Sequence, residues 1–238
     1  MGYRSAGRTH IGTVRQRNED AVLDRAEVGL WAVADGAGGH ERGDYASARI
    51  VEALAEINDA LTGARLVEEV KARLSRVNNE LRTKAAAIGP NALIGSTAVV
   101  LLIQTGQVRI FWAGDSRLYL MRAGRLHQLT RDQSYVQDLV DRGEITREEA
   151  IGHPLSNIVT NLVGGSDELI LEERRERLET GDVLLLCSDG LTSAVRDAEI
   201  TGILRAHGPL AAADRLIECA LEHGALDNVS VVVVEYLQ

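Results

Sequence analysis

The sequence predicts an α+β fold in which two antiparallel sheets pack face to face and are covered by helices. Apolar runs of strand length come in blocks, and so do stretches of helical periodicity, without the strand-helix-strand alternation of parallel sheets. Within the strand blocks, short Gly-containing turns separate neighbouring runs, as antiparallel hairpins require. With 238 residues, 45% of them apolar, one domain spanning 1–238 can bury its own core without a linker.

In chain order, the polar stretch THIGTVRQRNEDAVLD is followed by GLWAVADG, an apolar run closed by Asp and Gly that reads as a buried strand entering a loop. Ala46, Ile50, Leu54, Ile57 and Leu61 then share one helical face, and Leu66, Val70, Leu74, Val77, Leu81 and Ile88 share a second. Gly63 breaks the two helices apart and Pro90 stops the pair. From Ser96 the pattern becomes STAVVLLI, VRIFWA, RLYLM and GRLHQL, with turns at Thr105-Gly106 and Ala123-Gly124, which predicts an antiparallel meander. A polar stretch follows, with one short amphipathic helix marked by Tyr135, Val136, Leu139 and Val140. It reads as a surface flap over about 134–165. Strands return at LILEERRERL and DVLLLC, helices at about 197–206 and 209–223, and VSVVVVEYL forms the last strand.

Composition removes several function classes. A net charge of −9 disfavours sequence-independent binding to nucleic acid or to an anionic membrane, both of which need clustered Lys and Arg. Cys187 and Cys219 lack CxxC spacing, so they read as core thiols in a reducing compartment. No apolar run approaches the roughly 18 residues of a membrane span, and MGYRSAGRTH lacks the apolar core of a signal peptide. Ala6 stands where a myristoylation signal needs Ser or Thr. The expected location is the cytoplasm.

The chemistry lies in acidic residues at strand ends. Asp20, Asp35, Asp115 and Asp189 stand where strands are expected to end, and Asp227 precedes the last strand. Taken singly, an Asp-Gly or Asp-Asn pair is an ordinary turn. Five carboxylates gathered on rigid strand ends would repel one another unless cations or protons were shared among them. Hard oxygen donors without neighbouring His or Cys favour Mg²⁺ or Mn²⁺ over zinc. GAGGHERG lies between a strand and a helix, as a dinucleotide loop would. However, Glu41 occupies the third glycine position, so the glycines serve close backbone approach, with the Gly36 carbonyl as a candidate ligand.

The ordered set VRQRNEDA, VADGAGGH, GSTAVV, AGDSRLYL, LTRDQS, HPLSNIVTNLVGG, CSDGLT and DNVSVVVV resembles the type 2C metal-dependent protein phosphatases, in family order from about residue 8 to 236. The compact bacterial members, including those attached to type VI secretion, are most similar. The resemblance implies a four-layer α-β-β-α sandwich of two antiparallel sheets flanked by helices, with the flap near a metal site. It implies two Mn²⁺ or Mg²⁺ ions and a weaker third. Asp35 would bridge the main pair, Asp189 and Asp227 would hold the first ion, and the Gly36 carbonyl with Glu19 would hold the second. Asp115 and Asp189 would hold the third, with Asp20 acting through water. Hydrolysis would proceed by metal-activated water, with Arg15 gripping the phosphate through its planar fork.

Eukaryotic members carry His directly after Asp-Gly, where this chain has Ala37. His40 is the nearest imidazole, open to protonating the leaving group or to a structural role. His153 reads as a loop-ordering residue, Asn228 as orienting Asp227 or its water, and Ser96 and Thr97 as backbone partners beside the site. The expected substrates are phosphorylated Ser/Thr proteins, those of a cognate kinase, acted on by a monomer. One rival reading is a metal-dependent phosphodiesterase or nuclease, which the acidic charge opposes. Another is a silent phosphoprotein-binding module, which the full set Asp35, Asp189 and Asp227 opposes.

Overall fold

A computed structural model describes residues 2–37 and 42–237. Chain order runs β1 (Tyr3–His10), β2 (Asp20–Arg25), β3 (Leu30–Ala37), α1 (Gly43–Ala55), α2 (Gly63–Ala86), β4 (Gly95–Ser96), β5 (Ala98–Gln104), β6 (Gln107–Ala113), β7 (Arg117–Arg122) and β8 (Arg125–Gln128). It continues through α3 (Tyr135–Asp141), α4 (Arg147–Ala150), β9 (Glu172–Arg177), β10 (Val183–Cys187), α5 (Asp189–Ala194), α6 (Asp197–Ala206), α7 (Pro209–Glu222) and β11 (Val229–Tyr236). One sheet has the order β1-β11-β10-β7-β8 and the other β2-β3-β5-β6-β9, with β4 extending beside β3. All pairings are antiparallel. The predicted four-layer sandwich is the observed architecture.

The period of two along each strand builds three apolar layers. Leu30, Ala32 and Ala34 of β3 pack with the apolar faces of α1 and α2, while Trp31 and Val33 face the other sheet. Leu185 and Cys187 of β10 pack with α5, α6 and α7, while Leu184 and Leu186 point between the sheets. Strands covered on both faces read as near-continuous apolar runs, hence VSVVVV in β11, where the buried Ser230 is hydrogen-bonded to Ser188 and Thr9. On α2, Leu66, Val70, Leu74, Val77 and Leu81 form the buried stripe, each side chain contributing roughly 1.5–3 kcal/mol relative to exposure. Pro209 opens α7 at a position where its missing N–H would have no helical partner. No described helix is long and apolar enough to cross a membrane.

Three expectations change. The predicted meander is split between the sheets, because β5 and β6 lie in one and β7 and β8 in the other. Gly114 makes the crossing at φ 105°, where a Cβ would fall 2.6 Å from Thr97 Cγ2. The opening residues supply β1 and the polar stretch after them supplies β2, both unread from the sequence because they are sheet edges. Only Ala6 of β1 is buried, so it carries little hydrophobic alternation. The run LILEERRERL shortens to Glu172–Arg177.

Within residues 134–165, the stretch expected to form a flap, Val136 and Leu139 anchor α3, and a Thr146/Glu149 capping box starts α4. The far end of this stretch is pinned beside the strand ends. Ser96 and Val163 exchange backbone hydrogen bonds at 3.0 and 2.9 Å, and Asn78 of α2 accepts from Gly164 N at 2.7 Å and donates to Ser166 O at 3.0 Å.

Candidate metal centre

Antiparallel register gathers the acidic residues at one end of the sandwich. Asp20 and Asp35 are direct cross-strand partners in β2 and β3. Both share the parity of Trp31 and Val33, so their side chains emerge between the sheets, where directly opposed like charges are destabilising. The same end receives the start of β5 and the end of β6, paired at Ala98 and Ala113. From the other sheet come Cys187 of β10, Arg117 of β7 and Val231 of β11, also in register. Asp115 therefore lies between the sheets' ends, Asp189 starts α5, and Asp227 precedes β11.

Contacts across the sheets confirm the convergence. Ser188 Oγ donates to Asp20 Oδ2 at 2.8 Å, and the Asp35 and Asp189 carboxyl groups are within hydrogen-bonding reach of each other. Burial pushes the Asp35 carboxyl well above the ordinary carboxylate range, and Asp20, Asp189, Asp115 and Asp227 all add to the shift. Asp35 is thus the electrostatic centre of the group. Burial, with Asp189 and Asp227 nearby, raises Asp20 to about 7 against hydroxyl bonds from Ser230 and Ser188. Burial, Asp189 and Asp132 raise Asp115 to about 8. Asp189 is raised by burial and then by Asp227. Asp20 Oδ1 is buried without a hydrogen-bond partner, a costly condition for a carboxylate oxygen.

A second focus lies where β3 approaches α1. Burial raises the Glu19 carboxyl, although the Gly43 N–H donates to it. A Cβ at Gly43 would lie 2.7 Å from both Glu19 Oε1 and the Gly36 carbonyl, so two oxygen donors face one spot that only glycine leaves open. At Gly36 itself a Cβ would strike Gly43 O at 2.1 Å.

Surrounding residues fix this frame. Ser96 Oγ donates to Asp35 O at 2.9 Å, and Thr97 Oγ1 accepts from Asp35 N at 3.0 Å and meets Ser116 Oγ at 2.7 Å, as backbone partners were expected to do. Asn228 meets Asp227 through its backbone and does a further task with its side chain. Its backbone N–H donates to Asp227 Oδ1 at 2.8 Å, but its side chain accepts from Glu19 N and donates to Ile11 O and Arg17 O, tying down the β1–β2 loop. A Cβ at Gly190 would fall 1.9 Å from Asn228 O, so α5 reaches Asp227 closely because residue 190 is glycine.

Arg15 Nη2 lies 2.6 Å from Asp227 Oδ2, at the exposed rim. His153 Nδ1 accepts from Leu155 N at 3.1 Å, the loop-ordering role expected of it. His40 lies outside the described residues.

Sequence reasoning gave no role to Ser188, Asp132, Arg117 or Gln133. Asp132 is buried and takes a forked pair of bonds from Arg117 Nε and Nη2, so a second charge sits behind Asp115 with its own counter-ion. Gln133 Oε1 accepts from Gly114 N at 2.7 Å and from Asn161 Nδ2 at 2.9 Å, joining the Asp115 turn to the 134–165 stretch. Asp132 and Gln133 fall inside LTRDQS, and nothing in their spacing reveals which turn they would meet.

A family model described as Protein phosphatase 2C matches residues 6–221. The chain belongs to the protein phosphatase 2C family. The chain is 39% identical over 233 residues to the serine/threonine protein phosphatase PstP of Mycobacterium tuberculosis, a match covering 98% of the chain and 45% of that relative. The chain therefore spans about half the length of that curated relative. The structure of PppA, described as a key regulatory component of T6SS in Pseudomonas aeruginosa, superposes with a TM-score of 0.90 at 41% identity, covering 98% and 97% of the two chains. The catalytic domain of PstP, in complex with two manganese ions, superposes at 0.89 and 36% identity over 99% of each chain. The phosphatase fold expected from the eight motifs is the fold observed.

Proposed function

We propose that the chain hydrolyses phosphoserine and phosphothreonine in proteins, using two Mn²⁺ or Mg²⁺ ions held by the carboxylate cluster. The observation that carries this reading is the position of Asp35, half-buried where the two sheets meet and repelled by Asp20, Asp189, Asp115 and Asp227. Such a group stays folded at neutral pH only by holding protons or cations. The donors fit hard divalent ions: carboxylate and carbonyl oxygens, an unpartnered Asp20 Oδ1, and the Glu19/Gly36 cradle over Gly43. In this reading Asp35 bridges the two ions, and Asp189 and Asp227 complete the first site. Gly36 O and Glu19 serve the second, Asp115 and Asp189 serve a weaker third, and Asp20 Oδ1 orders water. When bound, the ions supply an activated water for in-line attack on phosphorus and neutralise the phosphoryl oxygens.

The chain's own groups place the substrate. Arg15, about half exposed, is free to trade its bond to Asp227 for two bonds to phosphate. His40 is the proton donor assigned to the departing Ser or Thr oxygen. A cytoplasmic monomer acting on proteins marked by a Ser/Thr kinase completes the proposal.

Turnover of p-nitrophenyl phosphate and of a phosphothreonine peptide is expected with Mn²⁺ or Mg²⁺ and is lost in EDTA. Equal rates with and without chelator would overturn the mechanism. In Arg15→Ala the KM for the peptide is expected to rise about tenfold, the loss of about 1.4 kcal/mol of phosphate binding, with kcat little changed. An unaltered KM removes Arg15 from phosphate binding.

A further inference from the structure

On the outer helical layer, three donors of a different chemistry meet. One ligand atom each from Glu199, Cys219 and His223 lies within 4.8 Å of the others. Cys219 and His223 are one helical turn apart at the end of α7, on one face, and Glu199 comes from the first turn of α6. Two of the donors are oriented by bonds that leave a ligand atom unengaged. Glu199 Oε2 accepts from Arg196 N at 3.3 Å as part of the α6 cap, and this leaves Oε1 3.6 Å from His223 Nε2. His223 Nδ1 is 2.9 Å from Ala194 O. A carbonyl only accepts, so Nδ1 donates to it, and Nε2 is left facing the carboxylate. A cation between the two groups would draw on both as donors. A backbone carbonyl that fixes the tautomer in this way is the usual partner of a metal-bound histidine. Cys219 is a buried residue, with its sulfur completing the triangle.

We propose that Glu199, Cys219 and His223 form a second cation site, suited to a borderline-soft divalent ion of the zinc type, which clamps α6 to the end of α7. Thiolate, imidazole and carboxylate together prefer such an ion, whereas the oxygen cluster at the strand ends prefers Mn²⁺ or Mg²⁺. Bonds of 2.0–2.3 Å would set the donors about 3.5 Å apart, a contraction that the partly exposed Glu199 and His223 side chains can make. The fourth position faces solvent. Binding releases the Cys219 thiol proton to water, so affinity rises with pH. The site also lies close in sequence to two residues of the carboxylate cluster. Ala194 ends the short helix that Asp189 begins, and His223 shortly precedes Asp227.

Titration of the metal-stripped full chain with Co²⁺, in excess Mg²⁺ to occupy the oxygen cluster, is expected to give a near-ultraviolet thiolate-to-cobalt charge-transfer band saturating at one equivalent. Zn²⁺ should bleach it and raise the thermal midpoint. Cys219→Ser should abolish the band, and His223→Ala, at an exposed position that folding tolerates, should weaken Co²⁺ affinity at least tenfold. Asp189→Ala should retain the band, since the oxygen cluster offers no thiolate. No band in the wild-type chain, or an undiminished band in either Cys219→Ser or His223→Ala, overturns the proposal.

Discussion

Asp189→Ala is expected to lower Mn²⁺-supported turnover by about a thousandfold or more, equivalent to about 4 kcal/mol of barrier. Asp189 belongs to two of the three proposed ion sites, and its carboxyl already lies within hydrogen-bonding reach of Asp35. The shape-preserving Asp189→Asn should show the same loss and, in EDTA, a thermal midpoint above that of the parent chain. One repelling charge has then been removed from a cluster in which burial and Asp227 already oppose ionisation of Asp189. A gain of about 1 kcal/mol corresponds to roughly 2–4 °C for a chain of this size. Turnover within tenfold of the parent would remove Asp189 from the metal centre. A lowered midpoint in Asp189→Asn would show that the cluster is held by bonds rather than strained by charge.

The stability of the chelated protein is expected to fall as pH rises from 5.5 to 8. In the unfolded chain an aspartate ionises near 4. In the folded chain burial keeps Asp20 protonated to about 7 and Asp115 to about 8. Between these values the folded state binds more protons than the unfolded state, so the slope of unfolding free energy with pH is negative. The penalty is absent below about pH 4, grows through this window and is complete above about pH 8. Because the carboxyls share protons, the loss is expected at about 2–3 kcal/mol, or roughly 5–10 °C in midpoint. Saturating Mn²⁺ should flatten the profile, because cations replace the protons, and Asp20→Asn in EDTA should shallow it. A chelated midpoint that stays level or climbs over this range would contradict the charge repulsion on which the site depends.

These effects depend on features of unequal legibility. The five aspartates were readable because each follows or precedes an apolar run, and all but Asp20 stand next to glycine, asparagine or serine. Their convergence also followed from the eight-motif resemblance. The support around them was not readable. Ser188 touching Asp20, Asn228 bracing the β1–β2 loop and Gln133 joining the Asp115 turn to the 134–165 stretch connect residues 168, 209 and 19 positions apart. No local pattern encodes such pairs, which arise from register between strands. Arg15 was identified by its motif, but its bond to Asp227 appears only once the loop folds over the strand ends.

By itself the sequence determined the layers and the donors. Apolar periodicity is a local property, and it specified α1, α2, α6, α7 and the buried strands β3, β5, β10 and β11 together with the residues that line them. Tertiary structure alone decided that β7 and β8 leave the sheet of β5 and β6. It also decided that two polar edge strands complete the sandwich, and that Glu199, Cys219 and His223 meet on its outer face. Edge strands bury too little to leave a pattern, and a sheet crossing at Gly114 or a contact between helices depends on packing between segments, which the order of residues along the chain does not express.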